Sequence, residues 1–181
     1  AGSKEIIPTR MNFVDIAGLV RGASKGEGLG NQFLANIREC DAIAYVLRCF
    51  ENDDITHVEG KIDPIADLET VETELMLADL ESLDKRVSNL EKKAKGGDKD
   101  SKLTLDLVLR AKALLEEGKP ARHTQRAPEE EKAFHMLQLL TALPVLYVCN
   151  VNEDDAANGN AHTARVMERA KLEQAACVII S

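Results

Sequence analysis

The chain has 181 residues, of which 44% are hydrophobic and 30% charged, and its formal net charge is −8. This length is enough for one domain with a buried core, or for a domain with a modest insertion. No apolar run approaches the ~20 residues needed to cross a bilayer, and no signal-peptide pattern is present, so we expect a soluble, cytoplasmic protein with no membrane partner. The negative charge argues against binding nucleic acid through a general positive surface, so any RNA contact must be local.

The N-terminal third is predicted to contain two strands, a loop and a helix. Residues 11–14 alternate weakly and lead into the turn 15–18, which predicts a strand with an acid at its tip. Residues 21–30 are rich in glycine and charge and predict a mobile loop. A helical apolar pattern follows through 33–37, and the apolar run 42–50 predicts a buried strand.

Two long helices are predicted in the middle of the chain. Their apolar residues recur at alternating steps of four and three, which is the seam of a coiled coil. The first seam is Met76, Leu80, Leu83, Val87, Leu90 and Ala94, and the second is Leu103, Leu107, Ala111 and Leu114. Gly96-Gly97-Asp98 separates the seams, and Gly118 and Pro120 end the second, so the helices should fold back on each other as a hairpin.

The C-terminal part alternates helices and strands. We predict a helix over 128–140, a buried strand over 144–149, a polar loop over 150–160, a helix over 162–174 and a buried strand over 177–180. Strands separated by helices indicate a parallel sheet with right-handed crossovers. The fold class is therefore α/β.

Two short motifs carry candidate chemistry. Asp15 and Gly18 form a DxxG, in which the acid of a P-loop hydrolase holds magnesium and the glycine lets a backbone N–H approach the γ-phosphate. A DxxG alone is as often a plain turn. Asn150-Val151-Asn152-Glu153 follows a strand where a GTPase carries Asn-Lys-x-Asp to read guanine, whereas an asparagine amide can also bond the N6/N7 edge of adenine. A simple polar loop is the alternative there.

Taken in order, these elements resemble the YchF/Obg-like ATPase family of P-loop NTPases. The resemblance is carried by runs spread over the whole chain. These runs are Asn12 to Val20, Gly22 to Asn31, Phe33 to Arg38, Arg48 to Ile55 and Lys93 to Lys99. It implies a partial P-loop NTPase parallel sheet with flanking helices and an inserted α-helical coiled-coil hairpin. The domain then divides into 1–64, an insertion over 65–127, and 128–181.

The resemblance also implies function and site residues. It implies a ribosome-associated ATP hydrolase that takes GTP more weakly, requires Mg²⁺ and acts as a switch in translation or stress response. Its partner would be the ribosome, through the large subunit, or RNA. Asp15 would hold the metal and, with Gly18, bind nucleotide together with Asn150, Val151, Glu153 and Ser181. The switch would comprise Leu19, Gly22, Gly26, Gly28 and Gly30.

Two departures from ordinary GTPases shape these expectations. Leu19 stands where Ras-like enzymes place the glutamine that orients water, and the resemblance points instead to His57 as the catalytic residue, although a lone loop histidine is usually just solvated. No GxxxxGK[ST] occurs in the sequence, since Gly60-Lys61 is followed by Ile62. We therefore expect an internal fragment that is inactive by itself, with the activity belonging to a longer parent.

Charge is segregated along the predicted hairpin. Acids cluster from Asp63 to Asp84, and bases follow. The bases are Lys85, Arg86, Lys92, Lys93, Lys95, Lys99 and Lys102. Matching of the helix dipole on a solvated helix is one explanation. The other is that Lys92, Lys93 and Lys95 form a docking surface for RNA or an acidic partner.

Overall fold

The computed structural model describes residues 10–15, 29–51 and 62–181. Within them, helices alternate with parallel strands. The helices are α1 (Leu29–Arg38), α2 (Pro64–Lys95), α3 (Lys99–Glu116), α4 (Glu131–His135) and α5 (Ala161–Leu172), and the strands are β1 (Ile43–Arg48), β2 (Val145–Asn150) and β3 (Ala176–Ile180). In this described part of the chain, no helix is long and apolar enough to cross a membrane.

The three strands form one parallel sheet in the order β1-β2-β3, which confirms the predicted α/β class. Tyr147 at its centre pairs in register with Tyr45 on β1 and Cys177 on β3. The two tyrosine rings stack with centroids 5.9 Å apart. This face of the sheet packs against α1, α2 and α5, and the main hydrophobic core lies between them.

The opposite face of the sheet corrects the prediction that β1 and β3 are buried. Val46 is 65% exposed, and Val178 and Ile180 are exposed as well. Side chains alternate between the two faces of a strand, and the described helices cover only one of them. A continuous apolar run therefore does not mean that both faces are buried here.

The hairpin begins with a well-capped helix. The Asp63 carboxylate accepts hydrogen bonds from the backbone N–H groups of Ile65 (3.2 Å) and Ala66 (3.3 Å), and Pro64 occupies the first turn of α2. Gly97 lies in the turn between α2 and α3 with φ of 92°, a conformation that favours glycine. The predicted pair of packed helices is thus present.

The second predicted seam is partly wrong. Leu107 and Ala111 are buried as expected, but Leu103 is 69% exposed and Leu114 is only half-buried. Leu115 is buried instead of Leu114. The C-terminal half of α3 packs on Phe134, Leu137 and Leu139 as well as on α2. The buried face of α3 is therefore turned away from the face that a simple two-helix seam would bury.

Two further predicted elements differ from the structure. The helix expected over 128–140 ends at His135. Gln138 interrupts the helical backbone with a left-handed conformation (φ 49°). The N–H groups of Leu140 and Thr141 then donate to the Asp79 carboxylate on α2. Residues 10–15 form no strand, and Met11 and Phe13 are about four-fifths exposed. A strand needs a hydrogen-bonded neighbour, and none of the three described strands pairs with this segment.

Candidate nucleotide-binding site

The loop after β2 is anchored at its root to both neighbouring strands. The carbonyl of Asn150 accepts a hydrogen bond from the N–H of Cys49 at 2.8 Å, and the N–H of Val151 donates to the carbonyl of Ile180 at 2.9 Å. Carboxyl ends of parallel strands meet at one edge of a sheet, where ligands bind in open α/β folds. The predicted base-reading loop therefore starts from a rigid position at this edge.

Two side chains of this loop have opposite environments. Val151 is only 4% exposed and belongs to the main core, whereas Glu153 is exposed at the start of a short 3-10 turn, Glu153–Asp155. A lysine at the Val151 position would bring an ammonium group toward apolar neighbours, which is unfavourable. The position thus favours valine over the lysine of the guanine motif, while Glu153 is accessible to a ligand.

Asn160, which was not among the predicted site residues, organises the far end of the loop. Its Oδ1 accepts from the N–H groups of His162 (3.0 Å) and Thr163 (3.1 Å) and so caps α5. Its Nδ2 donates to the Cys49 carbonyl at 2.7 Å and to the Asp155 carboxylate at 2.8 Å. The capping signal, an asparagine directly before a helix, was visible in the sequence, but the bond to β1 was not.

Gly159 has a requirement of its own. Its φ is 69°, and a Cβ there would collide with the Thr163 hydroxyl and approach Ile179. Glycine is therefore required directly before the α5 cap.

The structure brings together only some of the predicted site residues. Ser181 directly follows β3. The residue before it, Ile180, accepts a hydrogen bond from the Val151 N–H, which places Ser181 next to the loop. Gly30 lies in the first turn of α1, and Asp15 is exposed in residues 10–15. Among the residues described, no hydrogen bond or ion pair joins Asp15 to the loop. The remaining predicted residues, Gly18, Leu19, Gly22, Gly26, Gly28 and His57, lie outside the described residues.

Comparison with known proteins decides the family. Residues 3–93 match the family model described as 50S ribosome-binding GTPase. The chain is 47% identical over 179 residues to the ribosome-binding ATPase YchF of Bacillus subtilis, covering 98% of this chain and 49% of that protein. It belongs to the YchF/Obg-like family. The YchF of Haemophilus influenzae is 53% identical over 175 residues, covering 97% of this chain and 48% of that protein.

A solved structure agrees with this membership. The YchF GTPase of Schizosaccharomyces pombe superposes with a TM-score of 0.75 at 33% identity, covering 92% of this chain and 46% of that one. This YchF-family chain therefore has the P-loop GTPase fold. It spans about half the length of the relatives it matches.

A buried ion-pair network connects α2, α5 and β2 of this YchF-family chain. Arg122 donates to Glu72 on α2 (2.6 Å) and to Glu173 after α5, and Arg169 on α5 bonds both carboxylates. The Tyr147 hydroxyl donates to Glu173 at 2.9 Å. Burial alone would raise the pKa of Glu173, but Arg122 and Arg169 hold it below its usual value. The network joins the root of the hairpin to the strand that carries the loop.

The magnesium prediction rests on Asp15. A carboxylate oxygen suits Mg²⁺, which is usually held by one or two carboxylates together with substrate phosphates and water. Among the described residues, no group of three His, Cys, Asp or Glu could hold a metal ion. Asp15 is an exposed carboxylate and so has the right chemistry for one such ligand, and its role in holding Mg²⁺ stays a prediction.

Replacing Asn160 with alanine should lower the free energy of unfolding by about 2 kcal/mol, since the variant loses the α5 cap and the bonds to Cys49 and Asp155. Urea unfolding measures this change. Asn89→Ala is the matched control, because the Asn89 side chain is exposed on α2 and donates only to the Lys85 carbonyl at 3.4 Å. Equal stability of the two variants would show that Asn160 does not hold the loop.

Proposed function

We propose that this chain is the base-reading and phosphate-sensing part of a cytoplasmic, ribosome-associated hydrolase that binds and slowly hydrolyses ATP, and GTP more weakly. Hydrolysis would act as a switch in translation or stress response. The observation that carries the proposal is the anchored loop from Asn150 to Glu153 at the carboxyl edge of a parallel sheet. The names of the bacterial relatives, ribosome-binding ATPase, support it.

The preference for ATP follows from the loop chemistry. Guanine is read by an aspartate that accepts from its N1–H and N2 amino groups, and Glu153 is one methylene longer than aspartate. The Asn150 amide can donate to and accept from the N6/N7 edge of adenine. The exposed carboxylate of Glu153 and the buried Val151 therefore favour adenine over guanine.

The remaining roles follow from sequence position. Mg²⁺ would neutralise phosphate charge when it binds with the nucleotide. Asp15 would hold it through a water, the Gly18 N–H would contact the γ-phosphate, and the switch from Leu19 to Gly30 would respond to that phosphate. Ser181, next to the loop, would complete the base site. Because these 181 residues contain no GxxxxGK[ST], we propose that they are inactive alone.

Replacing His57 with alanine in the full-length protein tests the catalytic assignment. Turnover of ATP should fall roughly a hundredfold if His57 positions the attacking water, while the affinity for Mg-ATP measured by titration calorimetry should not change. His123→Ala is the control, since His123 lies in the turn after α3. Unchanged turnover would remove His57 from the mechanism, and micromolar Mg-ATP binding by the 181 residues alone would contradict their proposed inactivity.

An RNA- or ribosome-binding module is the second candidate function. Lys92, Lys93 and Lys95 form the last turn of α2 and are all exposed at the tip of the hairpin. An exposed cluster of lysines can contact phosphates. Nucleotide would then only regulate a docking step performed by the hairpin.

Reversing the charges of Lys92, Lys93 and Lys95 to glutamate separates the two candidates. If the tip docks, co-sedimentation with ribosomes should fall about tenfold or more at moderate salt, because three phosphate contacts become repulsive. ATP turnover should not change. The control reverses Lys119, Lys132 and Lys171, which are exposed outside the tip. An equal loss in both triple variants would reflect overall charge and exclude the tip as the docking surface.

A further inference from the structure

A groove lies between α1 and the middle of α2, away from the loop after β2. Its volume is about 490 Å³. Leu34 on α1 and Ala78 on α2 are buried and supply its apolar floor. The other lining residues are Arg38, Glu81, Ser82, Lys85, Arg86 and Gln138. We call this feature the α1–α2 groove.

The charge of the α1–α2 groove is opposite to that of the chain. Of its lining residues in the described ranges, three are cations and one is an acid, although the whole chain carries −8. Lys85 pairs with Glu81 at 2.7 Å, but both side chains are largely exposed, so this pair is weak. The groove is therefore a local positive site on an acidic protein.

Its two guanidinium groups form few hydrogen bonds within the described part of the chain. Arg38 is half-buried and forms no hydrogen bond or ion pair with any residue that the structure describes. Among the described residues, Arg86 donates only to the Met136 carbonyl, at a long 3.5 Å. A guanidinium has five N–H donors in a planar fork that matches a carboxylate. Both arginines can therefore take carboxylate partners without breaking a strong hydrogen bond to a described residue, although the charge of Arg38 also stabilises the buried Asp79 carboxylate.

An exposed apolar side chain belongs to the residue whose carbonyl accepts from Arg86. Met136 is 69% exposed, and its thioether is a flexible apolar group of the kind found at adaptable binding surfaces. Gln138, two residues on, holds the chain in a left-handed turn at the rim. The groove itself thus combines an apolar floor with two arginines.

We propose that the α1–α2 groove docks an acidic peptide segment of a protein partner, with one apolar side chain on the floor formed by Leu34 and Ala78. Carboxylates flanking that anchor pair with Arg38 and Arg86. The volume holds a few side chains of an extended segment. A single-stranded RNA fits less well, because such sites stack bases on aromatic side chains and none of the described lining residues is aromatic.

Fluorescence anisotropy on the full-length protein tests this proposal. The probe is a labelled twelve-residue peptide with a central leucine flanked by glutamates. The comparison probes have glycine for the leucine, glutamine for the glutamates, or are a twelve-nucleotide polyuridine. We expect saturable binding of the first peptide alone. The double variant Arg38→Gln and Arg86→Gln should weaken it about fivefold or more, and Ser82→Trp should weaken it by filling the groove without changing charge.

The matched control is Lys119→Gln with Lys132→Gln, which removes two exposed cations elsewhere and should leave binding unchanged. Thermal melting checks that each variant folds. Should Arg38→Gln melt early because it adjoins the buried Asp79, then Arg86→Gln and Ser82→Trp decide. Three results would overturn the proposal. They are absent or non-saturable binding of the leucine peptide, binding by the groove variants equal to that of the unchanged protein, and binding of the glycine-substituted peptide equal to that of the leucine peptide. Loss of polyuridine binding in the groove variants without peptide binding would instead identify an RNA surface.

Discussion

Replacing Asp79 with alanine is expected to lower the free energy of unfolding by roughly 3 to 5 kcal/mol. The Asp79 carboxylate is fully buried on α2 and accepts hydrogen bonds from the N–H groups of Leu140 and Thr141, each at 2.8 Å, and from the Thr141 hydroxyl at 2.7 Å. Alanine leaves these donors buried without an acceptor. Urea unfolding followed by circular dichroism measures the loss.

The burial of Asp79 also has an electrostatic consequence. Burial raises the pKa of its carboxyl group above the usual value, and the hydrogen bonds from Thr141 and Leu140 oppose that shift only in part. Each of these bonds stabilises the charged form of the carboxyl group. They tie the middle of α2 to the short turn that precedes β2.

Asp84→Ala is the matched control for Asp79. Asp84 lies on the same helix, but its side chain is 60% exposed and pairs with Lys112 at 3.0 Å, so its loss should change stability by less than about 1 kcal/mol. If Asp79→Ala destabilises no more than Asp84→Ala, the buried hydrogen bonds do not stabilise the junction between hairpin and sheet.

Replacing Arg122 with methionine should lower the free energy of unfolding by about 3 kcal/mol at neutral pH. Arg122 is 12% exposed and bonds Glu72 and Glu173, which are 2% and 8% exposed. Methionine has similar length but no charge, so two buried carboxylates would share Arg169 as their remaining cation. Removing one partner of a buried ion pair is strongly destabilising because it leaves an uncompensated charge.

The effect of Arg122→Met should depend on pH. The pKa of Glu173 is lowered in the folded protein, so its pairing stabilises the fold above its ordinary value of 4.5 and is lost as pH falls through the lowered folded pKa. The difference in stability between the variant and the unchanged protein should therefore shrink in acid. Urea unfolding at a series of pH values measures it, and a difference that grows in acid would contradict the charge pairing.

Arg165→Met serves as the control for Arg122. Arg165 also lies beside a carboxylate, Asp63, at 3.0 Å, but its side chain is 49% exposed. Solvent screens such a pair, so the change should stay within about 1 kcal/mol at any pH. Comparable losses in the two variants would mean that burial does not strengthen the Arg122 network.

Local patterns predicted most of the elements but not their exposure. The apolar run 42–50 correctly predicted β1, yet Val46 is 65% exposed, because a run of apolar residues does not say how many faces of the sheet are covered. The seam spacing predicted α2 and α3, but Leu103 is exposed. Exposure depends on which other segments pack against an element, and spacing along one helix does not contain that information.

The acidic run from Asp63 to Asp84 shows the same limit for charge. As a sequence it is typical of a solvated helix, yet Glu72, Glu74 and Asp79 are all buried. Glu72 is paired with Arg122, and Asp79 with Leu140 and Thr141, some 50 to 62 residues along the chain. Burial of a carboxylate depends on such distant partners, so composition alone could not distinguish these acids from their solvated neighbours.

The candidate site divides in the same way. The sequence by itself determined the family, the order of β1, β2 and β3 among the helices, and the loop at Asn150 to Glu153, because these are encoded in contiguous motifs and in local periodicity. Only the tertiary structure decided that Val151 is buried, that Asn160 joins the loop to β1, and that Arg38 and Arg86 line one groove. These features bring together residues far apart in sequence, and packing rather than local propensity sets such contacts.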